Sequence, residues 1–301
     1  MLYHNTQFME TKWTRDSGLR VRMVLSFIIL GILYVIFLSI LHYLGVGYIP
    51  LAIIASVMIL AQWYFSDKIV LWSSGAKIVS KEEYPRLHEI VERLSTNNGL
   101  PKPKVAMVNS NVPNAFATGK SPKSSLVAVT TGLLDLLDDD ELEAVIGHEL
   151  THVKSRDVLV LTLASVFSTV AWYLMQFGFY GGLQTRNRNS AGSGAIVLLV
   201  AIVTWVVSFL IIRAISRYRE YSADRGGAIM TGKPDKLATA LLKISGKIKV
   251  TPPNELKNVQ RLNAFFIIPA LSGSSIANLF SSHPPVEKRV QKLKEMKSGI
   301  E

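Results

Sequence analysis

Two nearly charge-free runs lie close together near the start of the chain, Met23 to Leu44 and Tyr48 to Phe65. As helices, each is long enough to cross the hydrocarbon core of a bilayer. Only a short Gly45-Val46-Gly47 connection separates them, so they read as a transmembrane hairpin. No small-residue cleavage site follows the first run and a second run comes at once, which argues for an anchor over a removable signal. Lys12, Arg15, Arg20 and Arg22 precede the hairpin and Lys68, Lys77 and Lys81 follow it, whereas its loop is uncharged. By the bias of basic residues, both ends face the cytoplasm.

Two further apolar blocks, Val158 to Leu183 and Ala195 to Ile212, flank a Gly-, Asn- and Ser-rich loop containing Arg186 and Arg188. They read as a second membrane hairpin, with Lys154, Arg156, Arg213, Arg217 and Arg219 at its ends. The 301 residues therefore divide into a tail and hairpin (1–70), a first soluble part (71–157), the second hairpin (158–212) and a second soluble part (213–301). The expected fold is mainly α, as α+β: helical membrane hairpins plus a peptidase core with a small β-sheet. A formal charge of +11 suits contact with an anionic lipid bilayer, and no nucleic-acid motif claims it. The absence of cysteine excludes disulfides and thiolate metal ligands.

Just before the second hairpin stands His148-Glu149-Leu150-Thr151-His152. Side chains four apart share one helix face, so both imidazoles can reach one cation with a carboxylate beside them. This is the zinc-binding and general-base unit of metallopeptidases, with Glu149 as the base. The acidic run Asp138 to Glu141, followed by Leu142, Val145 and Ile146, places the motif inside a helix whose N-terminus favours negative charge. Gly147 weakens such a helix by about 1 kcal/mol relative to Ala; it marks a close contact or is simply tolerated.

A catalytic zinc usually takes three protein ligands. The short extension that adds a third histidine in metzincins is absent, since Ser155 and Val158 occupy its positions. The best candidate is Glu220, with Asp224 four residues on to hold the second ring nitrogen of a ligating histidine. The second hairpin would leave the membrane face after His152 and return before Glu220, bringing the two halves of a zinc site together.

Between the hairpins, Tyr84 to Leu94 has helical periodicity, with Leu87, Ile90, Val91 and Leu94 on one side and His88 on the surface. Lys104 to Val108 and Ser125 to Thr130 read as strands, with Gly119 to Ser124 as a turn. Gly119-Lys120-Ser121 is not a phosphate loop, because Asn114 stands where its first glycine belongs. Asn114, Ala115, Phe116 and Ala117 form either an edge segment able to pair with an extended peptide or an ordinary loop and strand.

The His148 to His152 set, Arg219 to Asp224, Asn114 to Gly119 and Ser282-His283-Pro284-Pro285 together resemble the HtpX family of membrane-bound zinc endopeptidases. The related CaaX prenyl proteases share the zinc motifs but have more membrane spans than this chain offers. The resemblance implies a gluzincin-type core, one Zn²⁺ on His148, His152 and Glu220, and Glu149 as base. It further implies a cytoplasmic active site at the cell membrane and unfolded or misfolded membrane proteins as substrates. His283 either stabilises the oxyanion or touches the metal at rest; alone it would read as a cap for the following helix. Asp157 reads as structural. Two other functions fit the residues: a membrane-bound adaptor with structural zinc, and a processing peptidase for one dedicated substrate.

The stretch Gly246 to Ser282 is expected to be a long loop with an apolar patch at Asn263 to Pro269. Val286 to Lys297 is expected to be a basic surface helix.

Overall fold

The structure, a computed structural model, describes residues 17–43, 48–179, 191–252 and 283–297. Both hairpin loops and the apolar patch at Asn263 to Pro269 lie outside the described residues.

Four long helices form one end of the molecule: α1 (Ser17–Tyr43), α2 (Tyr48–Ser74), α6 (Asp157–Phe179) and α7 (Ala191–Thr231). Among the described residues, two are long and apolar enough to cross a membrane, Val21–Tyr43 and Ala195–Thr231. The outer face of α1 exposes Val21, Ile32 and Val35, each more than half accessible, as a lipid-facing surface would. Its inner face closes against α6 and α7 through Leu30, Phe37 and Leu41, which meet Ala164, Met175, Ala201 and Ile215. At 41 residues, α7 is about 60 Å long. It continues without a break past the apolar block and carries the Glu220 segment into the soluble part.

That part is built on a four-stranded sheet in the order β1-β2-β4-β3, from β1 (Lys77–Ile78), β2 (Lys104–Val108), β3 (Ala115–Thr118) and β4 (Leu126–Thr130). β2 and β4 are parallel, and β1 and β3 are antiparallel to their neighbours. Both faces are covered, which explains the unbroken apolar strands. Val105, Met107, Val127 and Val129 face the main core with α3 (Pro85–Asn97), whose expected stripe Leu87, Ile90, Val91 and Leu94 is buried there. Ala106, Val108, Phe116 and Ala128 face the other way, onto Val70 near the end of α2. His88 is half-buried, with Nε2 3.1 Å from the Val79 carbonyl. α4 (Thr131–Leu136) is a short helix after β4.

The central helix is α5 (Asp139–Ser155), buried from Glu141 through Thr151. Its N-terminus is a capping box: Glu141 N–H donates to Asp138 Oδ1 at 2.8 Å, and Asp138 N–H donates to Glu141 Oε2 at 3.0 Å. Lysines of α8 (Pro234–Val250) and its approach hold the acidic turn. Lys233 bonds Asp140 at 2.7 Å and Glu143 at 2.5 Å, and Lys243 bonds Glu141 at 2.7 Å.

Two features depart from the sequence reading. Gly246 to Val250 belong to α8, where Gly246 has open space and is tolerated. The last helix, α9 (Val286–Lys297), is no simple surface helix: Val286, Val290 and Leu293 are buried against the core, and Arg289 is fully buried.

Candidate active site

The crossing of α5 and α7 brings the candidate ligands together. A Cβ on Gly147 would meet Thr231 Cγ2 at 2.6 Å, and one on Gly227 would meet His148 N at 2.7 Å and Cα at 2.9 Å. Two glycines thus let the helix backbones approach, which is the close contact left open for Gly147. Asp224 and Glu220 lie on the turns of α7 before Gly227, on the face turned to α5.

His148 Nε2 and His152 Nε2 are 3.1 Å apart. Glu220 Oε2 lies 3.7 Å from the first and Oε1 lies 3.6 Å from the second. Zinc bound at about 2.0–2.1 Å in a tetrahedron separates its ligand atoms by about 3.3 Å, so the triad is spaced for that ion. The protons agree. His148 Nδ1 is 3.0 Å from Asp224 Oδ1, and His152 Nδ1 is 2.6 Å from Asp157 Oδ2. With a carboxylate beside each Nδ1 to take up its proton, both Nε2 atoms are left to present lone pairs inward. Two lone pairs and a carboxylate then converge, an arrangement a cation stabilises.

Charge supports the same conclusion. Glu149, Asp157, Glu220 and Asp224 are buried carboxylates, whereas Arg219 and Arg289 are the buried guanidiniums around them. With neutral imidazoles, two negative charges are left, and a dication neutralises them.

Arg289 was not singled out from the sequence. Its Nε donates to Asp224 Oδ2 at 2.7 Å, its Nη2 to Oδ1 at 2.6 Å, and its Nη1 is 3.5 Å from Glu220 Oε2. Burial disfavours its charge, but Asp224 and Glu220 outweigh that and raise its pKa further above the ordinary arginine value. The only available signal was that it is the single arginine in a helix of lysines. Asp157, read as structural, holds His152 and pairs with Arg219. His283 Nδ1 stands 3.0 Å from Glu220 Oε2.

A cleft of about 270 Å³ opens onto this triad. It is lined by His148, Glu149, His152, Glu220 and His283, and along one side by residues 116–121. Of the four residues considered for substrate contact, Phe116 and Ala117 line it. Asn114 and Ala115 are buried: Asn114 N–H donates to Thr130 Oγ1 at 2.8 Å and Ala115 packs into the core. β3 is at the edge of the sheet, and its Phe116 to Thr118 stretch borders the cleft.

A dication site open to a cleft, on a scaffold of long apolar helices, defines the class as a membrane zinc metalloprotease. Residues 81–297 match Peptidase family M48, and the chain belongs to that family. Protease HtpX homolog 2 of Methanosarcina mazei is 51% identical over 293 residues, covering 97% of this chain and 100% of that protein. Protease HtpX homolog of Moorella thermoacetica is 50% identical over 289 residues, 95% of this chain and 97% of its own. The crystal structure of S. mikatae Ste24p shares the fold, with a TM-score of 0.57 and 18% identity, covering 92% of this chain and 67% of that one.

Proposed function

We propose that this chain cuts unfolded segments of damaged or misfolded membrane proteins at the cytoplasmic face of the cell membrane, with Glu149 as general base. Four helices, α1, α2, α6 and α7, serve as the spans. The observation that carries the catalytic part is the state of Glu149. It is buried, it lines the cleft beside His148, and its carboxylate makes no hydrogen bond or ion pair among the described residues. A carboxylate kept free in a cleft is available to a water, whereas a closed structural zinc site has no use for one.

His148, His152 and Glu220 would hold the ion, with Asp224 and Asp157 fixing the rings. When bound, zinc supplies Lewis acidity, polarising the scissile carbonyl and making a water acidic near neutral pH. Glu149 takes the water proton on its carboxylate and passes it to the leaving amine. The β3 edge holds the peptide extended through backbone hydrogen bonds, which suits unfolded substrates because a folded chain has no free strand to offer. His283 donates to the charge that develops on the carbonyl oxygen, and Arg289 keeps Asp224 ionised and aimed at His148.

The quality-control role is tested by mapping cleavage sites in several unfolded membrane proteins and in their folded forms. Scattered cuts confined to the unfolded forms are expected. One defined cut in one substrate would assign a dedicated processing peptidase instead, and binding without cutting would assign a holding function.

A further inference from the structure

Arg156 is the single residue other than glycine with positive φ among the described residues, at φ 56° and ψ 44°. It closes α5, its N–H directed at the carbonyls of His152 and Val153. That position and conformation favour glycine, and the chain instead places a long cationic side chain there. Arg156 lines the cleft, yet makes no ion pair or side-chain hydrogen bond among the described residues. The adjacent Asp157 is already held by His152 and Arg219.

Lys120, just past the β3 edge, lines the same cleft. Its Nζ rests 3.9 Å from the centroid of the Tyr64 ring and has no carboxylate partner among the described residues. The carboxylates that line the cleft, Glu149, Asp157 and Glu220, all belong to the catalytic centre. The remaining wall is largely apolar, with Val70, Val153, Val158 and Leu161. The cleft therefore combines an apolar wall with two cations that have no carboxylate partner among the described residues.

We propose that Arg156, assisted by Lys120, is a specificity-determining residue that selects substrates with an acidic side chain near an apolar cleavage site. This rests on the peptidase reading above and names its substrate class. Both cations line the cleft that opens onto the zinc triad, which favours a substrate carboxylate over a lipid phosphate as their partner.

The test uses the full chain in non-ionic detergent with zinc quantified. The substrates are short apolar peptides in which one Glu, Gln or Lys is walked through the positions around the cut. At one or more positions, wild type should prefer Glu over Gln by at least about threefold in kcat/KM, the range of a partly exposed ion pair. The preference should shrink at high salt. Arg156→Gly, which keeps the left-handed cap, should bring that ratio toward one, Lys120→Ala should lower it, and Arg156→Glu should invert it. Equal cleavage of Glu and Gln peptides by wild type would overturn the proposal while leaving the peptidase reading intact. A ratio unmoved by Arg156→Gly, with weakened binding to phosphatidylglycerol vesicles, would assign the guanidinium to lipid and equally overturn it. No cleavage of any peptide by zinc-loaded wild type would remove the peptidase reading itself, and this proposal with it.

Discussion

Gly227 of α7 lies against the backbone of His148 of α5, so closely that a Cβ at 227 would stand 2.7 Å from the His148 nitrogen. The distance between the two helices, and hence between Glu220 and the two histidines, is set at this contact. Helix propensity alone would make Gly227→Ala favourable by about 1 kcal/mol. The obstacle is backbone and cannot rotate away, so overpacking at about 1–3 kcal/mol or more wins. Gly227→Ala should lower the urea midpoint and the bound zinc together. Gly147→Ala should be milder, because its nearest obstacle is the Thr231 methyl.

The two ring-holding carboxylates make separable predictions. Asp157→Asn and Asp224→Asn each replace the carboxylate beside a ligand's Nδ1 by a neutral amide. Each should weaken zinc about 10–100-fold in competition with a calibrated chelator. Unchanged affinity in both would show that the rings are oriented by packing alone.

Arg289 is fully buried against Asp224 and Glu220. Removing one partner of a buried ion pair strands the other, at about 3–5 kcal/mol. Arg289→Ala should therefore unfold far more readily than wild type. Arg289→Lys should recover only part of the loss, because an ammonium cannot bridge both Asp224 oxygens as the planar fork does. Chemical denaturation of the three proteins in one detergent checks the order.

The acidic turn of α5 predicts a pH effect away from the metal. Burial pushes the Glu143 carboxyl up, but hydrogen bonds from Arg93 and Lys233 outweigh it and leave it below the ordinary 4.5. A folded-state pKa below the unfolded one adds stability that is complete above the unfolded value and is lost as pH falls through the folded value. The stability gap between wild type and Glu143→Gln should therefore be wide at pH 7 and narrow progressively below about pH 4.5. A gap constant across that range would contradict it.

Parts of the molecule governed by local pattern were legible in the sequence. The α3 stripe, β2, β4 and the apolar blocks follow from periodicity and length, and two helical positions four apart placed both imidazoles on one face. What escaped depends on contacts between distant segments. The burial of Arg289 is decided by its contacts with Asp224 and Glu220 of α7, and within Val286 to Lys297 only its being the one arginine among lysines sets it apart. Likewise, Asp157 holds His152 because the chain turns at Arg156. α8 was obscured by Gly246, whose cost of about 1 kcal/mol in a helix interior is offset by the burial of Leu241, Ile244 and Ile248 on the same helix. Asn114 and Ala115 show the limit of reading an edge segment as a unit, since the cleft lining begins only at Phe116.

The most direct test is proteolysis of an unfolded model protein by purified wild type and Glu149→Gln, with zinc measured in both. Equal zinc in the two, with the rate lowered about 10²–10⁴-fold in the variant, is the expected result for loss of a general base. Undiminished cleavage by zinc-loaded Glu149→Gln would contradict the account.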